Sequence, residues 1–226
     1  AGGALTTGGS NVAVGSSALL TEDGNGSTVA VGFEALKVQN AGAEAYNVAL
    51  GYQAGVAVTT GTGNTLIGAV SGDALTTGSN NTGVGINSLG SLTTGSSNVA
   101  MGTAALDAAT TADNNTAIGH GALGANEGGT RNVALGASAA ETLTSGNDNT
   151  AIGFNALGDE STTSNNTAIG SYAMYDGAGA DGSVAVGTSA LANVTGDNNT
   201  AVGYLAATAN TSGASNTAVG KSALAA

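Results

Sequence analysis

Five residues, Asn-Thr/Val-Ala-Ile/Val-Gly, return thirteen times along this chain, ending at Gly15, Gly32, Gly51, Gly68, Gly85, Gly102, Gly119, Gly136, Gly153, Gly170, Gly187, Gly203 and Gly220. The spacings are 17, 19, eight of 17, 16 and 17, so the array covers 205 of 226 residues. Such a period is too short for a helical hairpin and too long for one strand. It fits one coil of a β-solenoid, with two or three short strands and tight turns. The expected fold is all-β: a parallel β-solenoid of about 13 coils of 17 residues, forming a single repeat domain over 1–226.

Each slot of the motif has its own chemistry. Slot one is Asn in 11 of 13 copies, with Thr28 and Ser183 as the exceptions. Slot two is Thr in seven copies and Val in six. Slot three is Ala except at Leu66 and Gly83, slot four is always apolar, and slot five is always Gly. Three residues after that Gly a second block begins, usually Ala-Leu, as in Ala18-Leu19, Ala105-Leu106 and Ala156-Leu157. The β-branched residues favour strand, and the invariant Gly marks a backbone angle other residues resist. A further Gly three residues before slot one (Gly61, Gly78, Gly95, Gly129, Gly146, Gly196, Gly213) reads as a turn. Proline is absent, as a continuous backbone ladder requires.

One coil carries two large apolar side chains, too few to offset the ordering of its own backbone. Coils must therefore stack, with like on like. Stacked amides at slot one form a structural ladder, expected at Asn64, Asn81, Asn98, Asn115, Asn132, Asn149, Asn166, Asn199 and Asn216. Thirteen coils at about 4.8 Å predict a rod roughly 60 Å long.

Composition removes most chemical functions. There is no Cys, so no disulfide framework, thiol nucleophile or cysteine metal site. A single His, His120, cannot supply the several imidazoles of most zinc enzymes. Three Lys+Arg against 15 Asp+Glu give a net charge of −12, which argues against nucleic acid and anionic membranes. No stretch is long and apolar enough to insert in a bilayer. No cofactor, metal or catalytic residue is expected, and the chain reads as non-enzymatic.

Strand side chains alternate in direction. Slots one, three and five share one face, and slots two and four the other. Whichever face lines the interior, the remaining one is a long uncharged stripe, larger than a soluble monomer normally exposes. The acidic residues Asp73, Asp107, Asp113, Glu127, Glu141, Asp159 and Glu160 fall between the two blocks instead. The stripe is expected to pack on other copies of this chain. Neither end carries an atypical capping repeat, so the chain is expected to belong to a longer fibre, joined end to end, or to have its ends covered by other subunits.

Ser183-Val184-Ala185-Val186-Gly187, Asn98-Val99-Ala100-Met101-Gly102 and Asn115-Thr116-Ala117-Ile118-Gly119 resemble the head repeats of trimeric autotransporter adhesins. Similar arrays occur in phage tail-fibre-like proteins. The resemblance covers nearly the whole chain. It implies a left-handed parallel β-roll, a homotrimer, an extracellular location on a cell surface or virion fibre, and binding of a glycan or surface receptor.

Five rings follow the slot-five Gly: Phe33, Tyr52, His120, Phe154 and Tyr204. They are the candidate surface contacts for glycans, with Tyr46, Tyr172 and Tyr175 nearby. The same position also holds Ser16, Ala69, Thr103 and Lys221, as a tolerant corner would. Asp113, Asp148 and Asp197 shortly precede slot one; they could offer oxygens to Ca²⁺ but read as solvated turn carboxylates. The competing function is an ice-binding solenoid with a Thr/Val face. A hexapeptide-helix acyltransferase is disfavoured, because six residues after Ile118 stands Gly124 rather than a bulky apolar residue.

Overall fold

A computed structural model describes residues 1–6, 8–22, 24, 26–159, 161–176, 179–209 and 211–225, which leaves Glu160 of the predicted loop acids outside the described residues. Among these residues there are thirteen strands of three residues each and no helix. The chain divides into two compact units, Ala1–Asn114 and Asn115–Ala226. The first contains β1 (Val12–Val14) to β6 (Val99–Met101), and the second β7 (Thr116–Ile118) to β13 (Thr217–Val219). In the first unit each strand pairs in parallel with the next in sequence. The second unit follows the same rule. Each unit is thus a parallel β-solenoid with one strand per repeat among the described residues, not the two or three expected; the rest of each coil is turns and bends.

Slots two, three and four are the strand, and like slots pair with like. Even the 19-residue spacing keeps register, with Val29 opposite Val48 and Val31 opposite Leu50. The 16-residue spacing does the same, with Val184 opposite Thr200. Length changes are absorbed in the loops, because a one-residue slip would reverse both faces of a strand.

The middle residue of every strand but the first is buried, and its two flanking residues face outward. Small residues therefore line the interior. The Ala-Leu block fills the rest: Leu19, Leu36, Leu89, Leu106, Leu123, Leu157 and Leu191 are fully buried. Of the slot-four residue and this leucine, only the leucine enters the core. The slot-four residue stays outside, which corrects the expectation that both are available for burial. At two adjacent places where the leucine is missing, the core compensates. Gly55 and Gly72 replace it in neighbouring coils, and Leu66 stands where Ala is usual. A Cβ at Gly55 would lie 2.8 Å from Leu66 Cδ1, and one at Gly72 2.7 Å from Leu66 Cδ2.

The slot-five glycines have φ between +121° and +143°. The glycines three residues before slot one do not share this need. Gly78, Gly95 and Gly146 have ordinary φ, but a Cβ on any of them would strike the carbonyl oxygen of the corresponding residue one coil on. Close approach of backbones, not turn geometry, selects Gly there, which corrects the turn reading.

One core column shows an error of chemistry. Leu75, Leu92 and Leu143 are fully buried seven residues after their slot-five Gly, and Asn126 occupies the same place. Both polar atoms of the Asn126 amide are buried without a hydrogen-bond partner. Leucine has room there: Leu75 and Leu143 approach the Cβ direction of Gly78 and Gly146 at 2.7 Å, and Asn126 approaches that of Gly129 at 2.6 Å. An unpaired buried amide costs about 1–3 kcal/mol, and a buried leucine adds apolar burial. Asn126→Leu is expected to stabilise the chain by about 2–3 kcal/mol, read as a higher denaturant midpoint with unchanged slope.

Candidate functional site

The outward strand face is a stripe with no charged residue in either column. Slot two presents Thr or Val and slot four presents Ile, Val, Leu or Met. In the first unit Leu50 and Met101 are 47% and 42% exposed, and in the second Leu135 is 44% exposed. These are half-open apolar side chains on a rigid ladder, with neighbours one strand spacing away above and below. Beside slot four, the position after the glycine forms a third outward column.

Opposite the stripe, the slot-one amides are buried and bonded coil to coil. In the first unit the Asn64 N–H donates to Asn47 Oδ1 at 2.7 Å, Asn81 to Asn64 at 2.9 Å and Asn98 to Asn81 at 3.0 Å. In the second unit Asn132 donates to Asn115, Asn149 to Asn132, Asn166 to Asn149 and Asn216 to Asn199 in the same way. Each of these Nδ2 groups except that of Asn216 then reaches a carbonyl of the following coil, as Asn64 does to Gly78 at 2.9 Å and Asn115 to Gly129 at 2.8 Å. Asn64, Asn115 and their equivalents thus tie the main chains of successive coils together. The partner of the side-chain oxygen is chiefly a backbone N–H rather than the next side chain.

A second ladder runs beside the first. Two residues before slot one, a side-chain oxygen accepts the N–H of the equivalent residue one coil earlier. Ser79 serves Thr62, Ser96 serves Ser79 and Asp113 serves Ser96. Asn147 serves Thr130, Ser164 serves Asn147, Asp181 serves Ser164 and Asp197 serves Asp181. Asp113 and Asp197 are therefore acceptors for the backbone. The mixture of Ser, Asp, Asn and Thr hid this column in the sequence; what they share is a short side chain ending in an oxygen. Asp148 lies one residue further on, where the backbone is left-handed, and takes a bidentate bond from Arg131 (2.7 Å from Nε and from an Nη). That guanidinium holds the Asp148 carboxyl below its ordinary range and is itself raised. Among the described residues no group of three or more His, Cys, Asp or Glu is placed to hold a metal ion.

The five candidate rings all stand outward in the third column: Phe33, Tyr52, His120, Phe154 and Tyr204 are exposed. In the second unit they fall on separated coils. Phe33 and Tyr52, on adjacent coils, stack with centroids 5.5 Å apart and planes at 10°. Phe154 meets Tyr172 edge to face at 5.4 Å, and Tyr172 meets Tyr175 at 5.1 Å. Lys221 lies 6.0 Å from the Tyr204 ring centroid. His120 has Ala137 as its neighbour in the column, one coil on.

No family model, curated protein or solved structure matches this chain. The chain is a repeat protein of β-solenoid units, each with an uncharged outward stripe and exposed rings beside it.

Proposed function

We propose that this chain is a non-enzymatic, extracellular segment of a structural and adhesive fibre, in which solenoids of identical chains associate side by side as a trimer. The observation that carries this is the uncharged stripe. In the second unit alone seven strands at about 4.8 Å make it about 30 Å long. The chain's net charge of −12 lies entirely off it, so copies can approach along this face without opposing charges. Identical parallel ladders have identical spacing, which lets a second copy interdigitate with every coil. The resemblance to adhesin heads and tail-fibre repeats supports the trimer and the surface location.

Sedimentation equilibrium tests the reading. The expected mass is three times the 21.0 kDa of one chain. Leu135→Lys combined with Ile152→Lys puts two charges on adjacent coils of the stripe, and is expected to yield monomers with unchanged strand content, because both side chains point outward. A wild-type monomer at micromolar concentration would falsify side-by-side association. The second reading, an ice-binding face, is favoured by in-register threonines such as Thr65 with Thr82 and Thr150 with Thr167. Strong thermal hysteresis from a monomer would establish it in place of the fibre.

A further inference from the structure

We infer that His120, Ala137 and Phe154 form a slot that takes one neutral pyranose ring of an oligosaccharide. The inference deepens the adhesive half of the proposed function and concerns three successive coils of the second unit. Their third column is locked in register from both sides. Gly136 N–H donates to Ile118 O and Gly153 N–H to Leu135 O, each at 2.8 Å. On the other side Ser138 N–H donates to His120 O at 2.9 Å and Asn155 N–H to Ala137 O at 3.2 Å. His120 and Phe154 therefore stand two strand spacings apart, roughly 9.6 Å.

The first unit shows what rings do in this column. Phe33 and Tyr52 occupy adjacent positions and lie face to face, with planes 10° apart. Rings here stack along the direction in which coils succeed one another. In the second unit the middle member of a three-position stack is Ala137, which is exposed and carries nothing beyond its Cβ. A flat ring between two others needs about 3.5–4.0 Å of contact on each face, roughly 7–8 Å in all. The space above Ala137 accepts one ring with a small lean of its walls. The Phe154 wall is braced by Tyr172, which Tyr175 braces in turn.

The flanks choose the ring. On one side is Leu135; on the other are Ser138 and Asn155, with the Glu141 carboxylate beside Gly121. Hydroxyl, amide and carboxylate groups suit a ring that is apolar on its faces and hydroxylated at its rim, as a pyranose is. The carboxylate and the net charge of −12 disfavour phosphorylated or acidic ligands.

The only histidine of the chain is the reporter. In proton NMR of the intact protein, the His120 Cε1–H resonance is expected to shift saturably on titration with at least one of cellohexaose, mannohexaose and chitohexaose. Ala137→Phe fills the slot with a protein ring, and is expected to weaken that binding at least about tenfold while leaving the melting temperature unchanged. Phe154→Ala removes one wall and is the second variant should the first fail to fold. The inference is overturned by an unmoved resonance with all three sugars, by saturable binding that survives Ala137→Phe, or by a response to free indole alone. Because the resonance is read regardless of mass, this outcome is separate from the sedimentation result.

Discussion

Gly119→Ala is expected to lower the unfolding free energy by about 3–5 kcal/mol. Two costs combine. Gly119 has φ of +138°, a region alanine enters at about 1–3 kcal/mol. Its Cβ would also lie 2.5 Å from the Gly136 carbonyl carbon and 3.0 Å from Ala137 N, and crowding a packed backbone costs a further 1–3 kcal/mol or so. Two other glycines of the same unit separate the costs. Gly220 has φ of +124° but open space around its Cβ direction, so Gly220→Ala is expected to show the conformational part only. Gly128 has neither constraint, and Gly128→Ala is expected to be neutral within about 0.5 kcal/mol. Denaturant unfolding of the three variants checks the order. Equal losses at Gly119 and Gly220 would mean that coil-to-coil crowding is not what keeps slot five glycine.

The period, the strand positions and the glycine column were legible because each repeats thirteen times against a varied background. The inward face was not. Alternation assigns Asn-Ala-Gly and Thr/Val-Ile/Val to opposite faces, and burial of larger apolar groups would favour the second. The coil is too thin for that choice. Its leucine already fills the interior, as Leu123 and Leu157 do, and slot five must lie against the next backbone. Alanine is what the remaining space admits. The left-handed leucines were equally hidden: Leu89, Leu106 and Leu157 have φ of 58°, 52° and 54°. A leucine there is disfavoured by roughly 1–2 kcal/mol, a cost that no propensity scale reveals as acceptable. Full burial of the side chain offsets it.

The candidate site divides in the same way. The ring column was visible as residue types after each glycine, but the meaning of Ala137 was not. An alanine between His120 and Phe154 is unremarkable in a string of letters. It becomes a gap only once the register places the three residues on successive coils and Phe33 with Tyr52 shows how rings stack there. The acceptor column of Ser79, Ser96 and Asp113 escaped because its residues share one oxygen position rather than one identity.

Asn132→Ala is expected to cost about 3–5 kcal/mol, and a series at this position shows why. Asn132 Nδ2 donates to the Gly146 carbonyl at 2.8 Å. Its Oδ1 accepts the Asn149 N–H at 3.0 Å and Asn149 Nδ2 at 3.1 Å. Removing the amide leaves a buried backbone N–H and a buried carbonyl without their partner, each at about 1–3 kcal/mol. Asn132→Ser is expected to cost less, because Ser183 already stands in this column and its Oγ accepts the Asn199 N–H at 3.1 Å. Serine keeps the acceptor and loses only the reach to the carbonyl. Asn132→Asp keeps the acceptor but faces the Gly146 carbonyl with a carboxylate. Burial and that carbonyl raise the new acid's pKa in the folded state above its unfolded value. Its penalty is then full at neutral pH and shrinks as pH falls through the folded pKa, when the protonated oxygen can donate to Gly146. Unfolding midpoints at neutral and acidic pH should therefore place Ser above Ala at both, with Asp rising toward Ser only in acid. If Ala and Ser are equally tolerated, the slot-one amide is a space filler and the coils are held by their strands alone.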